Sequence, residues 1–176
     1  MKYFQYLNLD WEPVAYKLKE FVLNNKELVD YNTGSWKSMK LGHISHLMPD
    51  IVKMLRPLDV MPVKISFFMS YNTSTIHKDS TMHECRRILI PIMNCENTVT
   101  RFYKSNKEPA ILYQPNGIPY YGDIDPSDCE FVDEYRLDRA VVIKSKELHS
   151  VICNNPNLPR ISCPIEVNKD LYHLFN

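Results

Sequence analysis

Two kinds of hydrophobic pattern divide the chain near residue 60. Before it, apolar positions recur at helical spacing. Val14, Leu18, Phe21 and Val22 follow i, i+4, i+7 and i+8, Asp10 stands where a cap belongs, and the pattern fades at Asn24-Asn25. Ile44, Leu47, Ile51 and Leu55 predict a second helix over 43–56, ended by Pro57. From residue 61 the pattern shifts to short runs rich in β-branched and aromatic residues: VKISFFMSY (63–71), RRILIPIMN (86–94), TVTRFYK (98–104), RAVVIKS (139–145), HSVICN (149–154) and RISCPIEV (160–167). Asn, Ser, Pro and Gly clusters separate them, and none has helical periodicity. Strands following a helical start predict an antiparallel sandwich or barrel rather than alternating βαβ units. The expected organisation is one domain over 1–176, with a helical layer (1–60), a β core (61–167) and a C-terminal tail (168–176). Residues 105–138 read as a long polar connection. Its acidic part, 123–138, is expected to be a solvated insertion or a substrate-contacting lid.

Composition narrows the function. The chain has 21 Lys+Arg against 21 Asp+Glu, so no broad positive field exists to hold a phosphate backbone or an anionic lipid surface. Neither nucleic-acid binding nor membrane association is expected. The 4 glycines (Gly34, Gly42, Gly117, Gly122) are too few and too scattered for a phosphate-cradling loop or a dinucleotide fingerprint. The N-terminus meets Asp10 and Glu12 before any apolar run forms, and no 18-residue apolar stretch exists, so a cytoplasmic protein is expected. Cys85, Cys95, Cys129, Cys153 and Cys163 are odd in number and contain no C-x-x-C pair, which fits reduced thiols.

Three small signals fall in order along the β region. In His77-Lys78-Asp79, extended backbone places the imidazole and the carboxylate on one face, where both can reach one metal ion. His149 opens a later strand and would complete two histidines and one carboxylate. Such a facial set leaves coordination positions open on one side and suits Fe(II). Arg160-Ile161-Ser162 opens the last strong strand. There Arg160 and Ser162 share a face, and a guanidinium fork beside a hydroxyl suits capture of a carboxylate. His83-Glu84 is no zinc-peptidase helix, because Arg87 stands where its second histidine belongs. His43 and His46 read as an exposed or capped pair. Cys153 and Cys163 read as small hydrophobes flanking the site.

H-x-D, about 70 residues, then His, then R-x-S on the next strand resembles the Fe(II)/2-oxoglutarate-dependent dioxygenase superfamily over roughly residues 63–167. The resemblance implies a double-stranded β-helix, a jelly roll. It implies that His77, Asp79 and His149 ligate Fe(II), and that Arg160 and Ser162 hold the distal carboxylate of the cosubstrate 2-oxoglutarate, with O2 as oxidant. Arg86, nine residues beyond His77 and ahead of an apolar strand, looks like the aspartyl/asparaginyl β-hydroxylase branch, where such an arginine anchors a carboxylate. The chain departs from that branch in carrying Ile88 where a second histidine often stands. Its small size also looks like phage-encoded members. Tyr71 and Tyr103 are either cosubstrate hydrogen-bond donors or core aromatics. The carboxylate of Asp79 favours hydroxylation over halogenation, whose enzymes lack it. The expected substrate is an amino acid, a peptide side chain or a small metabolite. The alternatives are a cupin-like metal-binding jelly roll without 2-oxoglutarate and a non-catalytic β-sandwich interaction module.

Overall fold

The computed structural model describes residues 2–27, 36–39, 41–79, 84–113, 119–155 and 157–175. The chain opens with strand β1 (Phe4–Tyr6), helix α1 (Glu12–Asn24), strand β2 (Trp36–Met39) and helix α2 (Met48–Leu55). It continues through β3 (Pro62–Ser70), β4 (Arg87–Met93), β5 (Thr98–Ser105), β6 (Ala110–Tyr113), β7 (Pro119–Gly122), β8 (Cys129–Arg136), β9 (Val141–Ile143), β10 (Leu148–Cys153) and β11 (Arg160–Val167). Among these elements, no helix is long and apolar enough to cross a membrane.

Helix α1 buries Val14, Ala15, Leu18, Phe21 and Val22, as its periodicity predicts. Its start differs from the expectation. Trp11, not Asp10, holds the cap position, without a side-chain cap, and Pro13 in the first turn supplies a preset φ instead. The helix expected over 43–56 is broken in two. A 3-10 stretch covers Leu41–Leu47 with Ile44 at φ −116°, and the α-helix starts only at Met48. Pro49 is the reason: in a continuous helix its ring would collide with the carbonyl of Ser45. Proline is accommodated where it stands, in the first turn of α2.

All pairings are antiparallel. The larger sheet has six strands in the order β1-β9-β4-β11-β3-β2, and a smaller one runs β10-β5-β8. The segment 77–78 extends the smaller sheet. It bridges His149 of β10 on one side and Tyr121 of β7 on the other, and so attaches the β6-β7 hairpin. Two sheets facing each other with this connectivity form a jelly roll, the double-stranded β-helix.

Each face of the larger sheet has its own core. Ile161, Cys163, Ile165 and Val167 of β11, with Ile65, Phe67 and Met69 of β3 and Ile88, Ile90 and Ile92 of β4, pack against α1 and α2. The alternate residues therefore face the smaller sheet. There Leu89, Val141 and Ile143 meet Phe102 and Tyr135 in a second apolar cluster. Arg87, Arg160 and Ser162 lie on this inner face too, and their polarity marks where the interior stops being plain core.

Residues 105–138 are not one polar connection. They hold β6, β7 and β8, and half of the acidic stretch is strand β8, paired along β5 with Arg101 opposite Glu134. Among the described residues strand β8 has a neighbour on one side only, so it tolerates a charged outer face, which also guards an open sheet edge. The first 60 residues likewise include β1 and β2, which pair with β9 and β3. The segment after β11 is docked at Leu171, which is buried and whose N–H donates to the Cys85 carbonyl at 3.0 Å.

Candidate metal centre

Backbone pairing brings the two histidines together. The His77 N–H donates to the His149 carbonyl at 2.9 Å, the reverse bond is 2.8 Å, and the ring centroids lie 4.5 Å apart. The Asp79 N–H, two residues on and on the same face, donates to the Ser145 carbonyl at 2.9 Å. One donor atom from each of His77, Asp79 and His149 falls within 4.8 Å of the others. His149 is buried, whereas the side chains of His77 and Asp79 are 20% and 22% exposed, so the cluster opens to solvent on their side.

Each of the three is held by an atom other than the one it offers. Nδ1 of His77 lies 2.8 Å from the Thr75 carbonyl, and Nδ1 of His149 lies 2.8 Å from the Glu147 carbonyl. A carbonyl only accepts, so both Nδ1 atoms carry the proton and both Nε2 lone pairs stay available to a cation. Arg87 donates through Nη1 to Oδ2 of Asp79, while Oδ1 lies 3.8 Å from His77 Nε2. Burial opposes ionisation of Asp79, but the positive fields of Arg87, His149 and His77 and the Arg87 hydrogen bond together hold its carboxyl below the usual range. Burial, helped by the field of His77, lowers His149 from its usual 6.5 to about 4 against the pull of Asp79. A carboxylate and a neutral imidazole at neutral pH are the protonation states that metal ligation needs.

The lowered histidine has a consequence for the metal-free protein. Below pH 6.5 the unfolded chain takes up a proton at His149 that the folded chain refuses until about pH 4, so stability falls as pH drops through that window. The loss should be about 3 kcal/mol, from ~1.4 kcal/mol per unit. Asp79 adds to it at lower pH, because the stability from its depressed pKa is lost on protonation. Thermal denaturation of metal-free protein should show a steep acid-side decline that is shallower in His149→Gln; parallel curves would contradict the burial of a neutral His149.

Arg160 and Ser162 are 3% and 1% exposed on the inner face. They stand opposite Ser70 and Phe68 of β3, and the Arg160 guanidinium lies 5.7 Å from the Phe68 ring centroid. Its Nε and Nη1 are buried and have no hydrogen-bond partner among the described residues. A buried guanidinium in that condition is costly unless an anion meets it.

The other expected positions lie elsewhere. Arg86 turns from the cluster and pairs with Asp170 at 3.1 Å, so Arg87 is the arginine beside Asp79. Alternation explains this: Arg86 shares the side of Ile88 and Ile90, which face the helices, and Arg87 takes the inner side. Tyr71 packs against the helix-side core, and the Tyr103 hydroxyl lies 3.1 Å from Ser150 Oγ. Cys163 is in the helix-side core, and all five cysteines are unpaired. His83 is outside the described residues.

No protein-family model and no curated protein matches this chain. Among solved structures, it is similar to the epimerase SnoN in complex with Fe3+, alpha ketoglutarate and nogalamycin RO. The TM-score is 0.54 at 14% identity, covering 93% of this chain and 77% of that one. A non-heme monooxygenase, ThoJ, aligns at TM-score 0.49 and 13% identity over 95% of this chain and 72% of its own. The first likeness is one of fold: a jelly roll of the kind on which an iron enzyme is built.

Proposed function

We propose that this protein is an Fe(II)- and 2-oxoglutarate-dependent oxygenase that hydroxylates an aliphatic carbon of an amino acid, a peptide side chain or a small metabolite. The observation that carries the proposal is Arg160, a buried guanidinium on the inner face with two nitrogens that find no partner among the described residues, on the strand that follows that of His149. A metal site alone would suit any cupin-like protein; a buried guanidinium on the inner face that still wants an anion supports a dicarboxylate cosubstrate.

His77, Asp79 and His149 would hold Fe(II), a set of two nitrogens and one carboxylate suited to that ion. When bound, iron, 2-oxoglutarate and O2 supply the oxidising power, and 2-oxoglutarate leaves as succinate and CO2. The chain supplies orientation. The carbonyls of Thr75 and Glu147 fix both imidazoles, and Arg87 fixes the carboxylate of Asp79. Arg160 and Ser162 would orient the distal carboxylate of the cosubstrate, at the margin of the apolar cluster that holds Cys95 and Tyr135. The five unpaired cysteines fit a reducing, cytoplasmic setting.

Protein given Fe(II), 2-oxoglutarate, O2 and a panel of candidate substrates should release succinate only when iron is present. The true substrate should gain one oxygen, read by mass. Iron-loaded protein that releases no succinate across the panel would overturn the proposal.

A further inference from the structure

The proposed function leaves three substrate classes open, and the wall beside the triad narrows them. Segment 77–79 is hydrogen-bonded to strand β7: the Lys78 N–H donates to the Tyr121 carbonyl at 2.7 Å, and the Tyr121 N–H donates back at 3.2 Å. Directly opposed residues in an antiparallel pair share a face, and their neighbours take the other. Lys78 and Tyr121 thus share the outer face, where Lys78 reaches Glu108 at 3.7 Å. Tyr120 and Gly122 fall on the inner face with His77 and Asp79. Strand β6 adds Leu112, registered opposite Tyr120.

Gly122 shapes this wall. A Cβ there would sit 3.0 Å from Cε2 of Tyr120 and 3.4 Å from Cδ1 of Leu112, so the ring of Tyr120 lies back over the glycine, on the side of His77. Tyr120 and Leu112 are both half-buried, as are His77 and Asp79 on the same face. Among the described residues, the result is an uncharged surface of one phenol ring and one leucine, with the nearby charges Lys78 and Glu108 paired on the opposite face. A free amino acid brings an ammonium and a carboxylate that this wall cannot neutralise; an apolar ring finds a stacking partner.

We infer that Tyr120, backed by Leu112 and Gly122, binds the substrate at the triad, and that the substrate is a small molecule presenting an apolar ring. The inference rests on the function proposed above.

Mn(II), which takes imidazole and carboxylate ligands, serves as a paramagnetic stand-in at the triad, and 2-naphthol and L-asparagine serve as probes. In full-length protein loaded with Mn(II) and 2-oxoglutarate, proton NMR lines of 2-naphthol should broaden and those of L-asparagine should not. Tyr120→Leu keeps an apolar side chain without the ring, and should weaken 2-naphthol binding by about tenfold, the worth of one aromatic contact. Gly122→Ala displaces the ring and should act in the same direction. Tyr120→Phe should retain the probe, and Mn(II) uptake should be the same in all three variants. Broadening of L-asparagine, or 2-naphthol binding that is absent or unaffected by Tyr120→Leu, would overturn the ring inference while leaving the metal site standing. Failure of the wild type to take up Mn(II) would overturn the function and the inference together.

Discussion

Asp79→Ala, His77→Ala and His149→Ala are each expected to abolish iron-dependent turnover and to lower metal affinity by more than about a hundredfold, since altering even an outer partner of a ligand costs ~10–100-fold. The three donors lie within 4.8 Å of one another, so loss of any one leaves a two-point site. Anaerobic equilibrium dialysis with Fe(II) reads the loss directly. His77 and Asp79 are partly exposed, and their removal should leave the fold intact by circular dichroism. His149 is buried, with its ring centroid 6.0 Å from that of Phe102, so His149→Gln is the better-tolerated companion variant. Arg86→Ala is the matched control: its partly exposed pair with Asp170 is worth little, and metal binding should not change. Wild-type affinity in any triad variant would remove that residue from the metal site.

Arg160→Lys is expected to raise the apparent 2-oxoglutarate KM by about ten- to a hundredfold. A point-charge ammonium cannot reproduce two parallel hydrogen bonds, and losing one charge-assisted bond costs ~1.5–3 kcal/mol. Arg160 is not a metal donor, so Fe(II) affinity without cosubstrate should barely move. Ser162→Ala, which removes a neutral hydroxyl on the same face, should act in the same direction and more weakly. Paired 2-oxoglutarate titrations and Fe(II) binding of the two variants check this. An unchanged KM for Arg160→Lys would break the carboxylate assignment and favour a cupin-like protein without 2-oxoglutarate chemistry.

The legible parts of the chain were those where packing and pattern agree. Strands β4 and β11, and β3 beyond its exposed Val63 and Lys64, are largely buried on both faces, so they read as continuous apolar runs that match the strand bounds within a residue or two. The H-x-D and R-x-S pairs were legible because period-two alternation is a local property. Strand β8 was not, because an edge strand with charged outward positions looks like a loop. Nor was β1, three residues long and dependent on Ala140 and β9 for its hydrogen bonds. Proline decided the break before α2, a signal present at Pro49 and outweighed by the apolar spacing around it. Arg87 and Tyr120 needed tertiary information. Which arginine of the 86–87 pair faces inward depends on where the helices lie, and Tyr120 comes to the face of His77 and Asp79 only through the pairing of its neighbour Tyr121 with Lys78, more than 40 positions away.

Metal-dependent 2-oxoglutarate binding is the central claim, and anaerobic calorimetry tests it directly. 2-Oxoglutarate titrated into Fe(II)-loaded wild-type protein should bind at one site per chain. The same titration into metal-free protein, or into Fe(II)-loaded Arg160→Lys, should show binding weakened by about tenfold or more. Equal binding with and without metal, or no binding to the Fe(II)-loaded chain, would contradict it.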